Sequence, residues 1–138
     1  MAGALALVIL FILIQWLPIA KDHSNPPILQ EPKWDSPQTR ALAKRACFDC
    51  HSNETQWPWY GSIAPFSWIL AQDVLDGRAA INFSEWAPIP DLRPGEIGAI
   101  IAESEMPPGL YLLAHPDARL SMAEINQLMD GLDKSLIP

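Results

Sequence analysis

The chain has 138 residues, a mass of 15.3 kDa and a formal net charge of −7 with a pI near 4.7, room for one compact domain. Nine basic against sixteen acidic side chains exclude a nucleic-acid surface, which needs clustered Lys and Arg. Two cysteines cannot build a disulfide scaffold, fourteen prolines break up any long helical bundle, and seven scattered glycines form no phosphate-binding loop.

Residues 2–20, AGALALVILFILIQWLPIA, carry no charge. As one continuous helix they would reach roughly 28 Å, close to the thickness of the hydrocarbon core of a bilayer. No Lys or Arg precedes them and the run is longer than a usual signal-peptide core, so residues 1–20 are expected to be a retained transmembrane anchor. Trp16 and Pro18 suit its interfacial end. Residues 21–36 follow as a Pro-rich linker in which Pro26, Pro27 and Pro32 favour an extended strap. Ile28, Leu29 and Trp34 are poor choices for a solvated linker, which predicts that the strap lies on a surface, its own domain's or a neighbouring subunit's. His23 reads as a solvated residue beside the membrane.

Residues 37–138 predict an all-α domain. Ser36 caps a helix with Pro37 in its first turn that runs through Ala46 into Cys47. A second helix is expected from about Pro65 to Asp76, stopped by Gly77, with Phe66, Ile69, Leu70 and Val74 at helical spacing. A third runs from about Pro94 to Ser104 with Ile97, Ile100 and Ile101 on one face. The last starts at Ser121, where Ser121 and Glu124 form a capping box, and buries Ile125, Leu128, Met129 and Leu132. No segment alternates like a strand. A domain of about 100 residues with so little regular core is marginal alone, so something else should fill its centre.

Cys47-Phe48-Asp49-Cys50-His51 is C-x-x-C-H, the attachment signature of c-type haem. Two intervening residues let both sulfurs reach vinyl groups on one edge of a porphyrin, and the next side chain turns its imidazole toward iron. A structural zinc site would need a fourth ligand and a second pair, and a thioredoxin-like dithiol would need a βαβ context; both are lacking. One covalently bound haem c is therefore expected, with Cys47 and Cys50 as thioethers and His51 as proximal ligand. Met106, in Glu-Met-Pro-Pro directly after a helix, is the candidate distal ligand, because the prolines hold the chain on a stiff loop. His115, before Pro116, is the alternative, and an open sixth position is the third possibility. Met122 and Met129 read as core fillers. Trp57 and Trp59 are expected to line the haem pocket, while Trp68 and Trp86 read as aromatic packing.

Together with Ser52-Asn53-Glu54-Thr55, Trp57-Pro58-Trp59-Tyr60, Ala64-Pro65-Phe66-Ser67-Trp68, Asn82-Phe83-Ser84-Glu85-Trp86, Glu105-Met106-Pro107-Pro108 and Leu113-Ala114-His115-Pro116, the motif resembles small monohaem c-type cytochromes, the haem-binding domain proteins. The resemblance covers roughly residues 35–134 and implies a cytochrome c-like helical fold, thioethers at Cys47 and Cys50, His51 proximal and Met106 distal. It implies an electron carrier rather than an enzyme, relaying single electrons to other redox subunits or a carrier protein within a respiratory or photosynthetic membrane complex. Because c-type haem is attached outside the cytoplasm, the expected location is the bacterial inner membrane, single-pass, with the haem domain on the periplasmic side. The alternatives are a haem enzyme or gas sensor with an open sixth position, and a structural haem subunit. The acidic surface would suit a basic partner or serve solubility alone.

Overall fold

The computed structural model describes residues 1–137 as an all-helical chain. The helices are α1 (Ala2–Ile14), α2 (Pro37–Ala46), α3 (Phe48–His51), α4 (Phe66–Ala80), α5 (Glu96–Ala102), α6 (Gly109–Ala114) and α7 (Met122–Leu136). Short 3₁₀ turns lie at Trp59–Ser62 and Pro116–Ala118. Among the described residues there is no strand, and Gln30 pairs with Glu85 in an isolated parallel bridge.

The anchor expected over residues 2–20 is overturned. Helix α1 ends at Ile14, so its 13 residues rise only about 20 Å, against roughly 30 Å of hydrocarbon. Among the described residues no helix is long and apolar enough to cross a membrane. The single-pass inner-membrane placement, with a periplasmic haem domain, falls with it. The physical reason lies at Gln15. Its side-chain amide donates to the carbonyls of Phe11 and Ala64, and its Oε1 accepts from the Ala64 N–H. That clasp ties the helix end to the domain, and Pro18, which has no N–H to donate, keeps the chain from resuming the helix.

The core forms where α2, α5 and α7 meet. Ser36 caps α2 by accepting from the Thr39 N–H, and α7 carries the full capping box between Ser121 and Glu124. The Ser121 N–H and the Arg45 guanidinium hold the Glu124 carboxyl down to about 2, so this contribution is present above the ordinary carboxylate range and lost as pH falls through that value. Leu42, Ala43, Phe48, Phe83, Ile101, Leu128, Leu132 and Leu136 form the buried cluster. Helices α2 and α7 approach at Thr39 and Gly131, where a Cβ on the glycine would lie 2.1 Å from Thr39 Oγ1.

Three details differ from the periodicity. Gly77 does not stop α4, which continues to Ala80; the glycine faces Cys50 at a close crossing. Phe66 and Ile69 stay exposed while Leu70 and Val74 are buried, because α4 lies on the domain through its Leu70–Val74–Gly77 side. The third helix is shorter than its pattern, Glu96–Ala102.

The strap lies on its own domain. The N–H groups of Leu29 and Gln30 donate to the Ser84 carbonyl, Trp86 N–H donates to Gln30, and Asn53 Nδ2 donates to Pro27. Trp34 packs against both Phe48 and Phe83, and its Nε1 donates to Glu31. Glu31 in turn takes a two-point bond from Arg40 (2.7 and 2.6 Å), which lowers its carboxyl pKa. His23 is not a loose juxtamembrane side chain. It stacks on Trp57 at 4.4 Å, and its Nε2 lies 3.1 Å from the Gly61 carbonyl.

The Thr39–Gly131 contact yields a direct expectation. Gly131→Ala should cost about 1–3 kcal/mol by overpacking, read as a lower urea midpoint. A loss under about 0.5 kcal/mol would contradict this close fit.

Candidate haem site

The site is built on one turn of helix. Phe48 is 1% exposed and stacks on Phe83 at 5.6 Å, which pins one face of α3 into the core. The N–H groups of Cys50 and His51 both donate to the Cys47 carbonyl, so the short turn closes on itself. Cys47, Cys50 and His51 then line a cavity of about 660 Å³, within the range of small-molecule and cofactor pockets.

Two neighbours hold this turn in place. Helix α4 passes so close that a Cβ at Gly77 would lie 2.5 Å from the Cys50 carbonyl oxygen, so only glycine fits there. On the other side the loop 81–83 is bonded twice to His51: Phe83 N–H donates to the His51 carbonyl at 2.8 Å, and His51 Nδ1 lies 3.2 Å from the Ile81 carbonyl. A carbonyl only accepts, so Nδ1 carries the proton and Nε2 keeps its lone pair. Burial lowers the His51 pKa, opposed by the Ile81 and Gly77 carbonyls, which favours the neutral imidazole that a metal requires.

The opposite part of the lining is apolar: Ile97, Ile100 and Ile101 of α5, Leu112, and Leu128 and Leu132 of α7. Met106, Pro107 and Pro108 complete it, with Met106 42% exposed. Imidazole, thiols and thioether on one apolar cavity are a donor set that suits haem.

The remaining candidates lie elsewhere. His115 does not line the cavity; its Nδ1 is 3.1 Å from the Tyr111 carbonyl, its Nε2 is 3.4 Å from Tyr60 Oη, and its ring stacks on Tyr111. Trp57 and Trp59 are also outside the lining, since Trp57 is held by His23 and Trp59 is 79% exposed. The indole N–H groups of Trp57 and Trp68 are buried without a partner among the described residues.

Sequence reasoning did not find the Ser52–Thr55 network. Arg78 donates to the Ser52 carbonyl, Thr55 Oγ1 and Asn25 Oδ1. Asn53 bonds to Pro27, Glu85, Asn82 and Ser84. These residues carry the motif, the strap and the 82–86 loop as one unit. The unusual run of small polar residues directly after His51 was the available signal.

The family model described as "Haem-binding domain" matches residues 9–134. The chain belongs to the haem-binding domain family. No curated protein and no solved structure matches it. Haem is thus the cofactor of this haem-binding domain, and the cavity bearing Cys47, Cys50 and His51 has the donors to receive it.

Burial pushes the Cys47 thiol up to about 12 and the Cys50 thiol up to about 11, the latter helped by the nearby Asp73 and Asp49 charges. Both cysteines are unpaired by any disulfide. In the haem-free chain at pH 8 the thiolate fraction of Cys50 falls about a hundredfold below that of an ordinary cysteine. The scarcer thiolate is also the more basic nucleophile, so iodoacetamide should alkylate the folded haem-free chain about tenfold more slowly than the urea-unfolded chain, and equal rates would contradict the burial.

Proposed function

We propose that this protein is a monohaem c-type cytochrome that relays single electrons and is not an enzyme. In this reading Cys47 and Cys50 hold the haem by thioether bonds, His51 Nε2 is the proximal ligand and Met106 Sδ the distal one. The observation that carries it is the C-x-x-C-H turn and Met106 on the lining of one apolar cavity. Haem, when bound, supplies an iron centre that accepts and gives up one electron.

The chain's own residues do the rest. The Ile81 carbonyl holds the His51 ring with Nε2 free, and raises its basicity as a ligand. The isoleucines of α5 and the leucines of α7 exclude water from the ring. With haem bound, the His51 imidazole and the Met106 thioether would be its protein ligands, a pair that favours electron transfer over oxygen chemistry. Met106 is preferred to His115 because His115 does not line the cavity and both of its ring nitrogens already face protein groups, the Tyr111 carbonyl and the Tyr60 hydroxyl. Its partners in this reading are other redox proteins.

The test is spectroscopic. The oxidised protein should have a weak red-edge sulfur-to-iron band that vanishes in Met106→Ala and persists in His115→Ala, with carbon monoxide binding the reduced wild type at least tenfold more slowly than Met106→Ala. A wild type with no such band would refute Met106 as the ligand, and immediate stoichiometric carbon monoxide binding by the wild type would favour a haem enzyme or gas sensor instead.

A further inference from the structure

The segment that carries Met106 has almost nothing holding it down. Helix α6, which follows it, has no fully buried residue, and among the described residues its backbone comes close to no element except the short turn at Pro116–Ala118. Met106 and Pro108 on the same stretch are exposed. A loop with so few apolar contacts would open readily.

One side chain bridges it to the haem motif. Tyr111 Oη donates to Asp49 Oδ2 at 2.7 Å, and Asp49 lies inside Cys47-Phe48-Asp49-Cys50-His51. The other Asp49 oxygen accepts from the Gln56 N–H, and the Asp49 carbonyl accepts from Thr55 Oγ1, so the acceptor is itself fixed. On its far side the Tyr111 ring is backed by the stacked His115 ring at 4.1 Å, which in turn reaches Tyr60. Two prolines stiffen the five-residue path from Met106 to Tyr111, so fixing the tyrosine limits where the methionine can go.

Resting on the haem reading above, we propose that Tyr111 is a positioning residue: its hydrogen bond to Asp49 latches the Met106–Ala114 segment across the cavity and holds the Met106 thioether at the iron. A bond to an ionised carboxylate is among the stronger neutral-donor contacts, enough to change the open fraction of a loosely packed loop about tenfold or more. His115, which competes for the ligand role in the sequence, serves here as the buttress of that latch.

The experiment compares holoprotein carrying Tyr111→Phe, Asp49→Leu or Asp49→Asn with the wild type. Tyr111→Phe keeps the ring and removes only the hydroxyl, and Asp49→Asn keeps an acceptor oxygen. The amides of Leu112 and His115, bonded to the Pro108 and Tyr111 carbonyls, should exchange hydrogen at least about tenfold faster in Tyr111→Phe and Asp49→Leu. Those of α7 should be unchanged, and Asp49→Asn, with one uncharged acceptor oxygen for the two donors at Tyr111 and Gln56, should fall between wild type and Asp49→Leu. Imidazole should enter the oxidised protein faster by a similar factor. Exchange in Tyr111→Phe within twofold of wild type would overturn the latch. Faster exchange with unchanged imidazole entry would reduce the bond to a structural one and overturn the positioning role. A wild type whose sulfur-to-iron band survives Met106→Ala would refute the ligand assignment alone, and α6 exchange would still decide the latch.

Discussion

A four-residue helix cannot hold its own shape, yet α3 has to present two thiols and an imidazole to one cavity. Isolated helices of that length do not persist in water, so the geometry must come from what surrounds the turn. Phe48 anchors it from within, Gly77 lets α4 press against the Cys50 carbonyl, and the Ile81–Phe83 loop grips His51 from both its backbone and its ring. Removing any of these frees the turn to fray, and the donors would no longer converge. The fold can be understood as the set of supports this turn requires.

The same constraint accounts for the strap. Polyproline-like chain makes no internal hydrogen bonds, and its carbonyls and amides are available to a neighbour. Here they bond to Asn53 and Ser84, residues that directly follow the haem motif or its supporting loop. Trp34 then covers the outer face of Phe48 and Phe83. A small domain thus gains a second wall from a segment with no secondary structure of its own, and the ion pairs of Glu31 with Arg40 hold that wall in register. Such half-exposed pairs add little to stability; their value is in fixing position.

Local signals with a local cause were legible. The caps at Ser36 and Ser121 and the apolar stripe of α7 could be read because each depends on residues a few positions apart. The sticky residues of the strap likewise announced a docked segment, and Trp34 found its place on the domain's own aromatic pair. What failed depended on distant partners. The apolar run at residues 2–20 reads as one span, but a clasp between Gln15 and Ala64, 49 residues apart in sequence, divides it. Gly77 has the composition of a helix stop, and only the proximity of Cys50 gives it another use. Trp57 could not be placed without knowing that His23 would cover it. Nothing in the sequence paired Tyr111 with Asp49.

The proposed function requires that the half-buried thiols of Cys47 and Cys50 carry a covalently attached haem beside the His51 imidazole. Intact-protein mass spectrometry under denaturing, acidic conditions tests it most directly, on material produced in cells competent for cytochrome c maturation. The account predicts a polypeptide heavier by one haem, an adduct that stays with the chain after acid–acetone extraction and is lost in the Cys47→Ala, Cys50→Ala double variant. A chain recovered at its bare mass with two titratable thiols, its pigment in the acetone, would contradict it.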